Sequence, residues 1–180
     1  MTTSRNLTVP DATDGVDNLR RWLVAASDMV RAVNADDPTE VLLSKISQQA
    51  RSLLDLDMCA VMLADERGER LLVRGYDGLS PEYVNRLNTD HPLLVDPHSA
   101  RSSSPSVQAY RTGQTITIPD VTAAADFEPW RDLAIREGYG ALVATPLLDG
   151  TRIAGVRVGY SLVGREFTTA HLDLLRLLAD

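Results

Sequence analysis

The chain has 180 residues, 44% of them apolar and 24% charged, and carries a net charge of -7. That mixture belongs to one globular domain with a true core, which excludes a fibrous or wholly disordered chain and argues against two full domains. The acidic balance opposes nonspecific binding to nucleic-acid backbones, and the lone cysteine, Cys59, excludes both an internal disulfide and a cysteine-built zinc cage.

Residues 1–14 are polar and read as a flexible leader, without the apolar core of a signal peptide. From Val16 onward, Val16, Leu19, Leu23, Ala26, Val30 and Val33 recur at steps of three and four, which predicts a heptad-like helix over 15–35. Asp37-Pro38-Thr39-Glu40 combines an N-cap acid, a proline at the first helical position and a following glutamate, so a second helix begins there. Leu42, Ile46, Ala50 and Leu53 are its expected buried side.

Met58 to Ala64 is an apolar run of strand length, and the turn at Arg67-Gly68 joins it to a second strand over Leu71 to Tyr76. Ser80-Pro81-Glu82 caps a short helix to about Leu87, and Ser104-Pro105-Ser106 caps another that ends at Thr112-Gly113. Asn88 to Ser103 between them is a long polar segment. Thr115 to Ile118 forms a short β-branched strand, and Pro129 to Glu137 a helix terminated by Gly138. Two apolar runs then flank Asp149-Gly150, which marks a β-hairpin within Gly138 to Tyr160. Leu172, Leu174, Leu175, Leu177 and Leu178 restore helical spacing over 168–180. The order of elements predicts an α+β fold around an antiparallel sheet. No apolar run approaches the roughly 20 residues of a membrane helix, so no membrane partner and a cytoplasmic location are expected.

Several segments in this order resemble the GAF domain, a ligand-sensing module of signalling proteins. They are Asp57-Met-Cys-Ala-Val-Met-Leu, Ser106 through Gly113-Gln-Thr-Ile-Thr-Ile-Pro-Asp120, Asp126-Phe-Glu-Pro-Trp130, Thr145-Pro-Leu, and Ile153-Ala-Gly-Val156. The resemblance covers about residues 20–180 and is specific for the fold rather than for a ligand. It implies a central sheet of five or six strands, with N- and C-terminal helices on one face and the helices and loops of a ligand pocket on the other. The pattern is most similar to N-terminal modules of bacterial helix-turn-helix transcription regulators, and also to input modules of sensor kinases. In such proteins the terminal helices pair across a homodimer and pass a signal onward. The chain is accordingly expected to be part of a longer protein whose effector follows residue 180.

The chemistry expected of the family's variants is weighed on the residues. Enzymatic relatives that reduce free methionine sulfoxide need a nucleophilic and a resolving cysteine, and Cys59 stands alone in an apolar strand. The cyclic-nucleotide signature of some relatives cannot be assembled, and Cys59 does not satisfy the helix-borne cysteine of bilin-carrying ones. His91 and His98, seven apart around Asp96, fit no standard metal spacing, so neither metal nor haem is expected, and His171 reads as an exposed helix residue.

Candidate pocket residues remain. Tyr76, Tyr83, Tyr110, Trp130 and Tyr139 fall in segments that bound the family's pocket, and Ser106 and Thr145 join them. Arg157 interrupts Val156 and Val158, with Gly155 and Gly159 as same-face neighbours. A tight turn at Asp149-Gly150 would pair Arg157 with Leu142 and Gly155 with Ala144, leaving a bare floor over which an arginine could grip a carboxylate. The alternatives are a solvated face or an acid from a helix. The reading is a non-catalytic sensor of a small organic molecule of aromatic or anionic character. The competing class is a dimerisation module, such as a sensor-kinase input domain, whose pocket is filled by its own side chains. An open space of ligand size beside Tyr110 and Trp130 separates the two, and an enzyme is a distant third.

Overall fold

The structure is a computed structural model that describes residues 39–99, 103–168 and 172–173. The leader, the heptad-like helix over 15–35, the Asp37-Pro38 cap, His171 and most of the helix over 168–180 lie outside the described residues.

Helix α1, Thr39–Leu53, precedes strands β1, Met58–Ala64, and β2, Arg70–Asp77. Helix α2 spans Pro81–Asn88 and is followed by a two-residue strand β3, Leu93–Leu94. Helix α3, Pro105–Thr112, strand β4, Ile116–Ile118, and a 3-10 turn at Ala125–Phe127 lead to helix α4, Glu128–Glu137. Strands β5, Ala141–Asp149, and β6, Arg152–Ser161, form the hairpin. The six strands make one antiparallel sheet in the order β3-β2-β1-β6-β5-β4. This is the predicted α+β, GAF-like sheet, and β3 is an addition to the strands read from sequence. Only two residues long, β3 lies in a segment whose polar flanks hide any strand period.

Alternation along β1, β5 and β6 gives the sheet two different faces. On one, Met58, Ala60, Met62, Leu142, Ala144, Val156, Val158 and Tyr160 join residues of α2, α3 and α4 in the main core. On the other, Cys59 and Val143 pack with Ala50, Leu54 and Leu56 beneath α1, and Phe167 and Leu172 add to this second cluster. A bulge in β2 at Arg74 explains how α1 sits so close. Val61 pairs with Gly75 but Met62 pairs with Val73, so the extra residue turns Gly75 to the α1 side while Leu71 and Val73 stay in the main core. A Cβ on Gly75 would collide with the backbone of Leu43 and Ser44, which is why the fully buried residues of α1 are Ser47 and Ala50. Leu42, Ile46 and Leu53, expected to be buried, are only half-buried.

The hairpin differs from its expected register. Its loop residues are Gly150 and Thr151, flanked by the Asp149–Arg152 pair, and Ala154 bulges out between Leu147–Gly155 and Leu148–Ile153. Arg157 therefore pairs with Thr145 and Gly155 with Leu147, instead of with Leu142 and Ala144. A turn shifted by one residue moves every pair by two, and the bulge adds one more.

Candidate functional site

The main core contains a ring of aromatic side chains between the sheet and helices α2, α3 and α4. Tyr139 and Tyr160 stand 4.8 Å apart by ring centroids, and Tyr83 meets each of them edge-on at 5.9 and 6.3 Å. Phe127 and Trp130, from the turn and start of α4, extend the cluster. The Tyr83 and Tyr139 hydroxyls are hydrogen-bonded at 2.9 Å, which satisfies polar tips that burial would otherwise leave costly. Burial, with Tyr139 and Tyr160 close by, pushes the Tyr83 phenol well above its ordinary value. Burial likewise raises the phenols of Tyr139 and Tyr160. All three are neutral at physiological pH.

Local signals position these groups. Ser80 caps α2, with its hydroxyl accepting from the Tyr83 N–H at 3.1 Å, and Pro81 opens the helix. Asn88 at the other end bonds both the N–H and the carbonyl of Val73, at 2.9 and 3.2 Å, and so fastens α2 to β2. Gly138, in the left-handed region with φ 93°, ends α4 and directs Tyr139 inward.

These side chains line a partly open cavity of about 20 Å³, room for one water molecule. Tyr83, Ser106, Trp130 and Tyr139, named from sequence, line it together with Ser104, Phe127, Leu142 and Tyr160. Tyr160 was missed because alternation alone assigns it to either face of β6; the register with Leu142 places it here. Ser104 reads in sequence only as a cap. Tyr83 is also a wall of a surface groove of about 100 Å³ between α2 and α4.

The other four candidates are not brought to this cavity. Tyr110 is half-buried at the edge of the main core. Tyr76 lies beside α1, its N–H donating to the Ser44 hydroxyl at 3.4 Å. Thr145 and Arg157 belong to the opposite face, since they alternate with the core residues Ala144, Val156 and Val158. Arg157, expected among the pocket residues, therefore does not line this cavity. Arg157 is 1% exposed, so its face is not solvated either. Burial lowers its guanidinium from the ordinary value, and Cys59 opposes that shift.

Cys59 shares the Arg157 face, fully buried, and burial pushes its thiol up to about 12. His98 is exposed and its N–H donates to Asp96 Oδ1 at 2.9 Å, while His91 is half-buried. Among the described residues no group of three or more His, Cys, Asp or Glu side chains could hold a metal, and no helix is long and apolar enough to cross a membrane.

Residues 38–180 match the model of the GAF domain family. Three solved structures of similar fold show how varied its settings are. The GAF domain of an Acinetobacter phosphoenolpyruvate-protein phosphotransferase is 20% identical, with 94% of this chain and 90% of that one covered and a TM-score of 0.63. Free methionine-R-sulfoxide reductase from Neisseria meningitidis, in complex with its substrate, is 15% identical over 99% and 93% of the two chains, with a TM-score of 0.63. The blue-light absorbing form of the Thermosynechococcus elongatus PixJ GAF domain is 18% identical over 81% and 86%, with a TM-score of 0.58. A search of curated proteins finds no match.

Proposed function

The chain belongs to the GAF domain family, and from that premise we propose that it is a non-catalytic regulatory module that takes a small organic molecule into the cavity under α2, α3 and α4. The carrying observation is the set of tyrosine and serine hydroxyls gathered around a void in an otherwise apolar core. A purely structural core has no need of them, because phenylalanine and alanine would pack there without polar groups to satisfy. The most similar setting is the one implied by the sequence resemblance, a bacterial transcription regulator in the cytoplasm. The helices over 15–35 and 168–180 would then pair across a homodimer and pass the event to an effector. That arrangement predicts a dimer in sedimentation at tens of micromolar, weakened by Leu23→Glu.

Lack of an enzymatic role is supported by Cys59, the only cysteine of the chain. It faces away from the cavity, and its raised pKa keeps it a thiol rather than a nucleophilic thiolate.

One observation favours the second reading, a module filled by its own side chains. The cavity beside Trp130 has the volume of a water and not of a ligand. In the sensing reading this is the closed conformer, and Tyr83, the wall shared with the surface groove, is the group that moves. A thermal-shift panel of small aromatic and anionic compounds separates the two. Sensing requires at least one that raises Tm in a dose-dependent way, as mass action demands, and loses its effect in Leu142→Trp, which fills the cavity. A panel without any such compound would leave the self-filled module.

A further inference from the structure

We propose that the cavity takes an uncharged aromatic molecule bearing a hydrogen-bond acceptor, which the hydroxyl chain of Tyr139, Tyr83 and Tyr160 recognises. The inference rests on the small-molecule reading above and names the ligand's chemical class.

Proton counting along that chain carries it. The Tyr83 hydroxyl is bonded to that of Tyr139 at 2.9 Å and also to that of Tyr160, so the three oxygens are linked by two contacts. Each contact uses one proton, and each hydroxyl brings one. Whichever way the chain runs, one of the three protons is left for a group outside it. Among the described residues no other protein group is hydrogen-bonded to these hydroxyls. All three tyrosines line the cavity and are at most 4% exposed. The cavity has room for one water, which can accept the spare proton. A ligand that takes the place of that water must accept in its stead, or the donor is left buried and unmet.

The wall decides the rest of the ligand. Its polar side chains are the tyrosine trio, the hydroxyls of Ser104 and Ser106 and the Trp130 indole, all of them uncharged. An ion here would lose its hydration and find no counter-ion in the lining. An anion would be opposed further. Glu137 lies two residues before Tyr139 with its carboxylate fixed on Ser80, and next to burial, the first cause, it helps to raise the phenols of Tyr139 and Tyr160. Phe127 and Trp130, tilted at 40° with centroids 6.2 Å apart, extend the aromatic surface, which suits a flat ring.

The test compares three probes of similar size on the full chain by calorimetry: acetophenone, ethylbenzene, which lacks the acceptor, and benzoate, which adds a charge. Acetophenone is expected to bind roughly three- to ten-fold more tightly than ethylbenzene, the worth of one neutral hydrogen bond. It should bind about ten-fold or more tightly than benzoate. Tyr83→Phe, Tyr139→Phe and Tyr160→Phe together should abolish the preference over ethylbenzene. If that triple variant does not fold, infrared spectroscopy of the unaltered chain decides: the carbonyl stretch of bound acetophenone should fall below its value in an apolar solvent. Equal binding of acetophenone and ethylbenzene, benzoate binding as tightly as acetophenone, or an unshifted carbonyl overturns the assignment and leaves the small-molecule reading standing. Should none of the three bind, the thermal-shift panel decides. A neutral acceptor among its hits supports the class, and hits confined to charged compounds or hydrocarbons overturn it. A panel without a hit overturns the small-molecule reading and the class with it.

Discussion

The carboxylate of Glu137 accepts two hydrogen bonds from one residue, Ser80, from its N–H at 2.5 Å and its hydroxyl at 2.7 Å. The end of α4 thereby holds the start of α2. Two residues further on, the Tyr139 hydroxyl meets that of Tyr83, so an outer and an inner clasp close the same seam. Glu137→Ala should lower stability by about 1–3 kcal/mol, the range for a hydrogen bond to a charged group. Hydrogen exchange should speed up in α2 and not in α3. Uniform exchange across both helices would show that the clasp has no local role.

The inner clasp predicts a coupling. Tyr83→Phe leaves the Tyr139 hydroxyl without its partner, Tyr139→Phe leaves Tyr83 with only its bond to Tyr160, and the double change removes both hydroxyls of the 2.9 Å pair together. Each single variant should cost about 1 kcal/mol, and the double variant clearly less than their sum. Additive losses in denaturant unfolding would contradict the paired arrangement.

Thr145 and Arg157 face each other across the hairpin on the α1 side of the sheet. Thr145 is 1% exposed and its hydroxyl oxygen has no hydrogen-bond partner. Thr145→Val, which keeps the shape and removes the polar atom, should be neutral or stabilise by up to about 1 kcal/mol in thermal unfolding. Arg157→Ala removes at least two buried methylenes and should cost about 2 kcal/mol or more. Neither change should alter the affinity of a compound held in the cavity; a large change would place the binding site on the wrong face.

Gly75→Ala tests the contact between α1 and the sheet. Its Cβ would overlap backbone atoms of Leu43 and Ser44, which cannot swing aside, so a loss of about 2–3 kcal/mol or more is expected. Gly159→Ala meets mainly the Leu56 side-chain tip, at 2.5 Å, and should cost less. Equal losses would mean that α1 adjusts freely.

Alkaline pH should unfold the protein. The phenols of Tyr83, Tyr139 and Tyr160 and the Cys59 thiol all have raised folded-state pKa values, with burial as the first cause. The fold binds protons that the unfolded chain releases, so these groups favour folding fully below their unfolded values of 9.0 for Cys59 and 10.0 for the tyrosines, and that contribution is lost as pH rises further. Stability measured by urea titration should therefore fall steadily above about pH 9, starting from the thiol's ordinary value. In a Tyr76→Phe, Tyr110→Phe background, which leaves only the three buried phenols, phenolate absorbance should appear in step with loss of helical circular dichroism. Early ionisation without unfolding would contradict their burial.

The elements that announce themselves in sequence are those with local causes. Met58 to Ala64, Ser80-Pro81, Ser104-Pro105 and the Gly113 and Gly138 terminators carry their own strand period or cap, and the structure places an element at each. What sequence hides is relational. The face to which Arg157 belongs depends on alternation relative to Val156 and Val158 in the assembled core, and its cross-strand partner depends on a one-residue turn shift and the bulge at Ala154. Ser104 looks like an ordinary cap, yet its side chain makes no capping bond and it lies buried on the cavity wall. Aromatic residues scattered from 83 to 160 become a cluster only when the hairpin and α2 bring them together.

The two-faced character of β6 bears on how such a domain can change over time. Val156, Val158 and Tyr160 belong to the cavity side, while Gly155, Arg157 and Gly159 face α1 and whatever lies beyond it. The two faces are thus written in alternate letters of one ten-residue word, a single peptide unit apart. A lineage could respell the even-numbered letters on the cavity side without touching the odd-numbered ones on the α1 side, whereas one inserted or deleted residue would scramble both together.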